Sequence, residues 1–143
     1  MPSMRLRTLL ALALIGPLAA CSGSSPSGST PPVPVRTLVA TGSQSDVPPV
    51  TEGVVFFITV QVQASTVLEA TVDWSSPSNQ VAVLWGQGDC NADPNCTILV
   101  QNASAAKPKT VTTPTVTPGT YTLAVVNLGT TNESVSYQIF IIH

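Results

Sequence analysis

Leu68-Glu69-Ala70-Thr71-Val72-Asp73-Trp74 alternates apolar and polar side chains without a break, so Leu68, Ala70, Val72 and Trp74 form one row and Glu69, Thr71 and Asp73 the other. A period of two puts successive side chains on opposite faces, which predicts a strand with one buried face. The same period runs through Phe56, Ile58, Val60 and Val62, set against Phe57, Thr59, Gln61 and Gln63. It returns in Tyr121, Leu123 and Val125 after the Pro118-Gly119 turn, and in Val135, Tyr137, Ile139 and Ile141 at the end of the chain. Val81 to Trp85 is a short continuous apolar run bounded by turn residues, which suits a more central strand. Thr97 to Gln101 supplies its hairpin partner, Lys109 to Thr113 a further strand, and Arg36 to Thr41 an edge strand. From Val35 onward Pro, Gly and β-branched residues recur too often for a helix. Seven or eight short strands separated by turn signals predict an all-β domain, an antiparallel two-sheet β-sandwich.

The N-terminus has a different character. Arg5 and Arg7 precede an apolar run from Leu9 to Leu18, and Leu18-Ala19-Ala20-Cys21 follows. Charged, apolar and small-residue zones in that order are those of an export signal. Leu18 is too large for an ordinary cleavage site, whereas two small residues before a Cys resemble the bacterial lipoprotein signal. That resemblance implies cleavage before Cys21 and a diacylglycerol on its thiol. The competing reading, a membrane-spanning helix, needs about 20 apolar residues, and this run is shorter and interrupted near its end by Pro17. Residues 1–20 are therefore read as the signal, 21–34 as the lipidated Cys and a Ser/Gly/Pro-rich tether, and 35–143 as the sandwich. By the same resemblance Ser22, where an Asp would retain the protein in the inner membrane, points to the outer membrane of a Gram-negative envelope.

With Cys21 lipidated, two cysteines remain. Cys90 and Cys96 bracket Asn91-Ala92-Asp93-Pro94-Asn95, a run of turn formers that folds the chain back on itself. An oxidising compartment favours a disulfide there. A two-thiolate metal site would need two further His or Cys ligands, and with Cys21 lipidated only His143 is left. Beyond Cys21 the basic residues are Arg36, Lys107 and Lys109 against seven carboxylates. That balance excludes a nucleic-acid-binding surface, which needs clustered basic side chains.

Few residues suggest chemistry. The single histidine, His143, ends the chain, a poor place for the oriented imidazole of a Ser-His-Asp or Cys-His centre. Glu69 and Asp73 are candidates for a carboxylate pair, with solvated strand positions as the plain alternative. No phosphate-cradling Gly loop or cofactor fingerprint is present. Asp89, Asn91, Asp93 and Asn95 are spaced by two, like the start of a calcium loop, but Pro94 stands where that loop needs Gly and Val100 where it needs Glu. The alternatives are a calcium site and a polar hairpin tip. Trp74 is in phase with the core. Trp85, at the mouth of the stapled loop, is either core or an aromatic platform for a sugar ring or partner. Trp85, Asp89, Asn91 and Asp93 are thus the ligand-binding candidates.

Ala70-Thr71-Val72-Asp73-Trp74, then Asn79-Gln80-Val81-Ala82-Val83-Leu84-Trp85, then Thr117-Pro118-Gly119-Thr120-Tyr121-Thr122-Leu123-Ala124-Val125-Val126-Asn127 resemble the bacterial pre-peptidase C-terminal domain family. The resemblance covers roughly Gly53 to His143 and implies a jelly-roll-like sandwich that accompanies secreted peptidases and assists targeting or substrate binding. Gln80 and Ala82 stand where the family usually carries aspartates, which speaks against a calcium role at those positions. The expectation is a non-enzymatic, lipid-anchored envelope module without a required cofactor, binding a polymer, matrix or protein ligand. An accessory subunit of an envelope complex is the alternative, and an unrecognised hydrolase the remote one.

Overall fold

A computed structural model describes residues 32–93 and 95–143. Eight strands follow one another: β1 (Arg36–Val47), β2 (Phe56–Val62), β3 (Val67–Trp74), β4 (Val81–Gln87), β5 (Thr97–Asn102), β6 (Lys109–Thr112), β7 (Gly119–Asn127) and β8 (Glu133–Ile142). A single 3-10 turn, Val50–Glu52, interrupts the β1–β2 connection and closes on Gly53, whose φ of 77° suits a residue without a β-carbon. The signal segment, Cys21 and the tether up to Pro31 lie outside the described residues.

The strands form two four-stranded antiparallel sheets, ordered β1-β8-β3-β6 and β2-β7-β4-β5. First pairs with last, second with seventh, third with sixth and fourth with fifth. The chain is thus one long hairpin bent over on itself, its paired ribbon passing alternately into each sheet. This is the jelly-roll order. The expected sandwich and its strand count are both present.

Alternation fixes which rows face inward. In β3, Leu68, Ala70, Val72 and Trp74 are buried and their neighbours are half-exposed. Against this row pack Val81, Val83 and Trp85 of β4 and Tyr121, Leu123 and Val125 of its neighbour β7, both in the other sheet, and Val135 and Ile139 of β8 complete the centre. β4 and β7, being interior strands, are buried on much of both faces, which is why Val81 to Trp85 reads as a continuous apolar run. β2 is an edge strand, so Phe56, Ile58 and Val60 are only half-buried despite their clean alternation.

One element departs from the sequence reading. β1 extends past Thr41 to Val47, and its register against β8 slips between Leu38 and Ala40 and again between Gln44 and Val47. Each bulge shifts the side-chain phase, so the alternation that would have marked a long strand is lost. Lys109 does not reach solvent: it is 1% exposed, donates to the Val81 carbonyl and lies 5.4 Å from the Trp74 ring centre. Burial lowers its pKa by disfavouring the ammonium.

The antiparallel order sorts the connections by end. The start of β1, the end of β8, and the β2–β3, β4–β5 and β6–β7 connections share one end, where the chain enters the domain. The β1–β2, β3–β4, β5–β6 and β7–β8 connections gather at the far end.

Candidate binding groove

Register on the first sheet builds the site. Ser136 of β8 stands between Ser43 of β1 and Asp73 of β3, and one pleat along, Gln138 stands between Thr41 and Thr71. Thr110 of β6 extends the second row and shares a hydrogen bond with Thr71 at 3.1 Å. All these side chains point away from the core. Two shallow hollows join here, one of about 310 Å³ beside Ser43, Ser75 and Ser134, the other of about 300 Å³ beside Thr41, Pro108 and Gln138. Asp73 and Ser136 belong to both.

Asp73 carries the groove's negative charge and accepts from Lys107 Nζ at 3.1 Å and from the Trp74 amide at 2.9 Å. Lys107 in turn lies 5.8 Å from the Trp74 ring centre. The groove therefore presents hydroxyls and an amide that donate and accept, plus one carboxylate and one ammonium, beside apolar surface from Trp74, Val135 and Tyr137. That mixture suits a polar, hydroxyl-rich ligand approached along the sheet.

The far-end loops beside the groove are held by Glu133, which is 1% exposed. Its carboxylate accepts from the Ser75 hydroxyl, from the Ser76 amide at 2.9 Å and from the Asn79 side-chain amide. Ser75 Oγ also accepts from the Ser134 amide at 3.1 Å, and Asn79 reaches Thr131 Oγ1 at 3.1 Å. Asn127 adds bonds to the carbonyls of Val47 at 3.0 Å and Thr131 at 2.7 Å. Desolvation pushes the Glu133 carboxyl up, but the bonds from Ser75, Ser76 and Asn79 outweigh it and hold the pKa below the usual glutamate value.

The residues singled out by sequence gather elsewhere. Cys90 and Cys96 form a disulfide with Cα atoms 5.2 Å apart, at the end where the chain enters and away from the far-end loops. Asp89 Oδ1 accepts from the amides of Asn91 at 3.1 Å and Ala92 at 3.4 Å, and Asp93 Oδ1 from the Asn95 amide at 2.8 Å. These carboxylates shape the turn, as a polar hairpin tip would use them. Among the described residues no group of three or more His, Cys, Asp or Glu side chains is placed to hold a metal. Trp85 is corrected: it is fully buried, so its ring offers no face to a ligand, because the inward phase of β4 sets it against Leu123 and Val100. Glu69 and Asp73 share a face four residues apart, roughly 13 Å along a strand, too far for paired-carboxylate catalysis. Glu69 is instead bound by Arg36 Nε at 2.9 Å.

The stapled loop makes one sharp demand on β4. A β-carbon built on Gly86 would overlap Cys90 Sγ and come within 3.2 Å of Cys96 Sγ. Those sulfurs are pinned at both ends and cannot swing aside. Gly86→Ala is therefore expected to cost about 2 kcal/mol, read as a lower denaturation midpoint with an unchanged denaturant slope.

Sequence reasoning missed Ser43, Ser134, Ser136 and Glu133. Ser134, Ser136 and Gln138 were visible as the polar half of an alternation, but only register shows what stands beside them.

No family model matches the chain, and no curated protein matches it. Among solved structures, the Yersinia pseudotuberculosis-derived mitogen is similar, at 11% identity and a TM-score of 0.51, over 75% of this chain and 86% of that one. At that identity the likeness shows the fold alone: both chains share the β-sandwich architecture.

Proposed function

We propose that the protein is a lipid-anchored, non-enzymatic binding module of the bacterial cell envelope, and that the groove around Asp73 and Ser136 holds a hydroxyl-rich polymer such as an envelope polysaccharide. The observation that carries this reading is the register-matched pair of polar rows, Ser43-Ser136-Asp73 and Thr41-Gln138-Thr71. A sugar presents hydroxyls at close intervals, each able to donate and accept, and this surface answers in kind. The lipoprotein-like signal supports the envelope location and the outer membrane, with the lipid on Cys21. The resemblance to domains that accompany secreted peptidases supports a role in targeting or holding. The reading requires no metal.

Such a groove is shallow, so each contact is weak, with a Kd of roughly a millimolar. A repeating polymer compensates, because one chain engages many anchored copies. The test is a titration of isotope-labelled protein with envelope oligosaccharides. Amide shifts are expected at Ser43, Thr71, Asp73, Ser136 and Gln138, and Asp73→Ala should weaken binding about tenfold, the share of one charge-assisted hydrogen bond. Shifts confined to residues 88–93 would move the site to the stapled loop, and no saturable shifts would sink the reading.

A further inference from the structure

We propose that the apolar rim where the chain enters the sandwich rests on the bilayer, giving the domain a second membrane contact beside the N-terminal lipid. The inference rests on the lipid-anchor reading. Val33, Val35, Leu38 and Val39 are 81, 62, 48 and 44% exposed, a concentration of bare aliphatic side chains within seven positions. β8 widens the rim, since Leu38 pairs with Phe140 and Arg36 with Ile142, both half-exposed. The cation there is already matched: Arg36 is bound to Glu69 and its guanidinium lies 3.3 Å above the Phe140 ring. The rim is thus mainly apolar with its guanidinium paired, and His143, whose backbone bonds to Val35, lies at its edge; burial of apolar area rather than lipid charge would drive contact at the headgroup–acyl boundary. Asp89 and Asp93 occupy the same end but belong to the β4–β5 loop, on the other sheet and at the opposite edge from β1.

The chain that precedes the rim names its occupant. Eleven residues, Ser22 to Pro32, separate Cys21 from Val33. In any conformation, eleven residues span at most about 40 Å. A lipid on Cys21 therefore holds the bilayer within reach of Val33, at an effective concentration of about a millimolar or more. A rim too small to bind a membrane alone then binds it in cis. A second copy fits less well, because the bulge between Leu38 and Ala40 breaks the regular hydrogen-bonding edge that another strand would need. Contact at the rim would also turn the far-end loops, and the groove beside them, away from the membrane.

The test uses the full acylated chain in phosphatidylethanolamine–phosphatidylglycerol vesicles, with a polarity-sensitive fluorophore on Val39→Cys and, as control, on Ser104→Cys in the far-end β5–β6 loop. The Val39 label is expected to shift to the blue and be quenched by lipid-borne quenchers, unchanged by salt, while the Ser104 label stays water-like. Adding Val35→Ser and Leu38→Ser should lower the quenching about tenfold. Mass measurement of the Cys21 peptide reads the anchor separately. A diacylated, vesicle-bound protein whose Val39 label remains water-like overturns the rim contact and leaves the anchor standing. If Cys21 carries no lipid, the anchor reading fails. The rim is then read on vesicles whose nickel-chelating lipid captures an N-terminal histidine tag placed before Ser22: quenching there supports the contact, and its absence overturns it. Energy transfer between copies without lipid quenching assigns the rim to a second copy and overturns the proposal.

Discussion

Replacing Glu133 by Ala is expected to lower the stability of the domain by about 3 kcal/mol, because three half-buried hydrogen bonds to one buried carboxylate are lost together. The Ser75 hydroxyl, the Ser76 amide and the Asn79 side-chain amide all converge on this carboxylate. The loss should be read as a fall in Tm of about 10 °C or more. It should also loosen the β3–β4 and β7–β8 connections together, seen as faster amide exchange at Ser76 and Ser134. The pH dependence has a definite sign. A carboxyl held below its unfolded pKa contributes stability that is complete above the unfolded value, about 4.3, and is lost as pH falls through the lower folded value. Because Glu133 is shifted downward, the wild-type domain should weaken on acidification below about pH 4.3. Glu133→Gln should be less stable at neutral pH and show a shallower acid dependence. Equal acid dependence in the two proteins would remove Glu133 from this role.

Trp85→Ala should be still more damaging. The side chain is fully buried within the central cluster, and its removal leaves a large cavity between β4 and the opposite sheet. Such truncations cost about 3–5 kcal/mol. Its Nε1 is the buried side-chain polar atom that lacks a partner among the described residues. Trp85→Phe therefore gives up volume but also removes an unpaired donor, and is expected to cost clearly less than Trp85→Ala. The pair of variants separates packing from recognition. A platform for a ligand would lose binding with stability intact, whereas a core residue loses stability, with binding intact in whatever fraction stays folded. Chemical denaturation of the two variants beside the wild type reads this directly.

The strands were legible where one face is buried and the register is regular. Leu68–Trp74 and Val135–Ile141 show their alternation plainly because each has one sheet face on the core. β1 was legible only at its start, since two bulges scramble its phase. The burial of Lys109 was not read from the sequence, and only the packing of Trp74 and the Val81 carbonyl around it shows it. The disulfide followed from cysteine count and turn chemistry, and the structure closes it. The groove was not legible, because it is made by lateral neighbours. Ser43, Asp73 and Ser136 come from three strands far apart in sequence, and nothing local to any of them marks the row they form. Glu133 was hidden likewise, since its partners arrive from a loop more than fifty positions earlier.

The central claim is that the polar rows around Asp73 and Ser136 hold an envelope polymer. The most direct measurement is co-sedimentation, with purified, insoluble envelope polysaccharide, of vesicles displaying many anchored copies of the protein, comparing wild type with Ser136→Trp, which fills the groove from the solvent side, and with Asp73→Ala. The claim requires saturable retention of the wild type and little retention of either variant, with both variants folded by circular dichroism. Equal retention of all three proteins, or none for any of them, would contradict it.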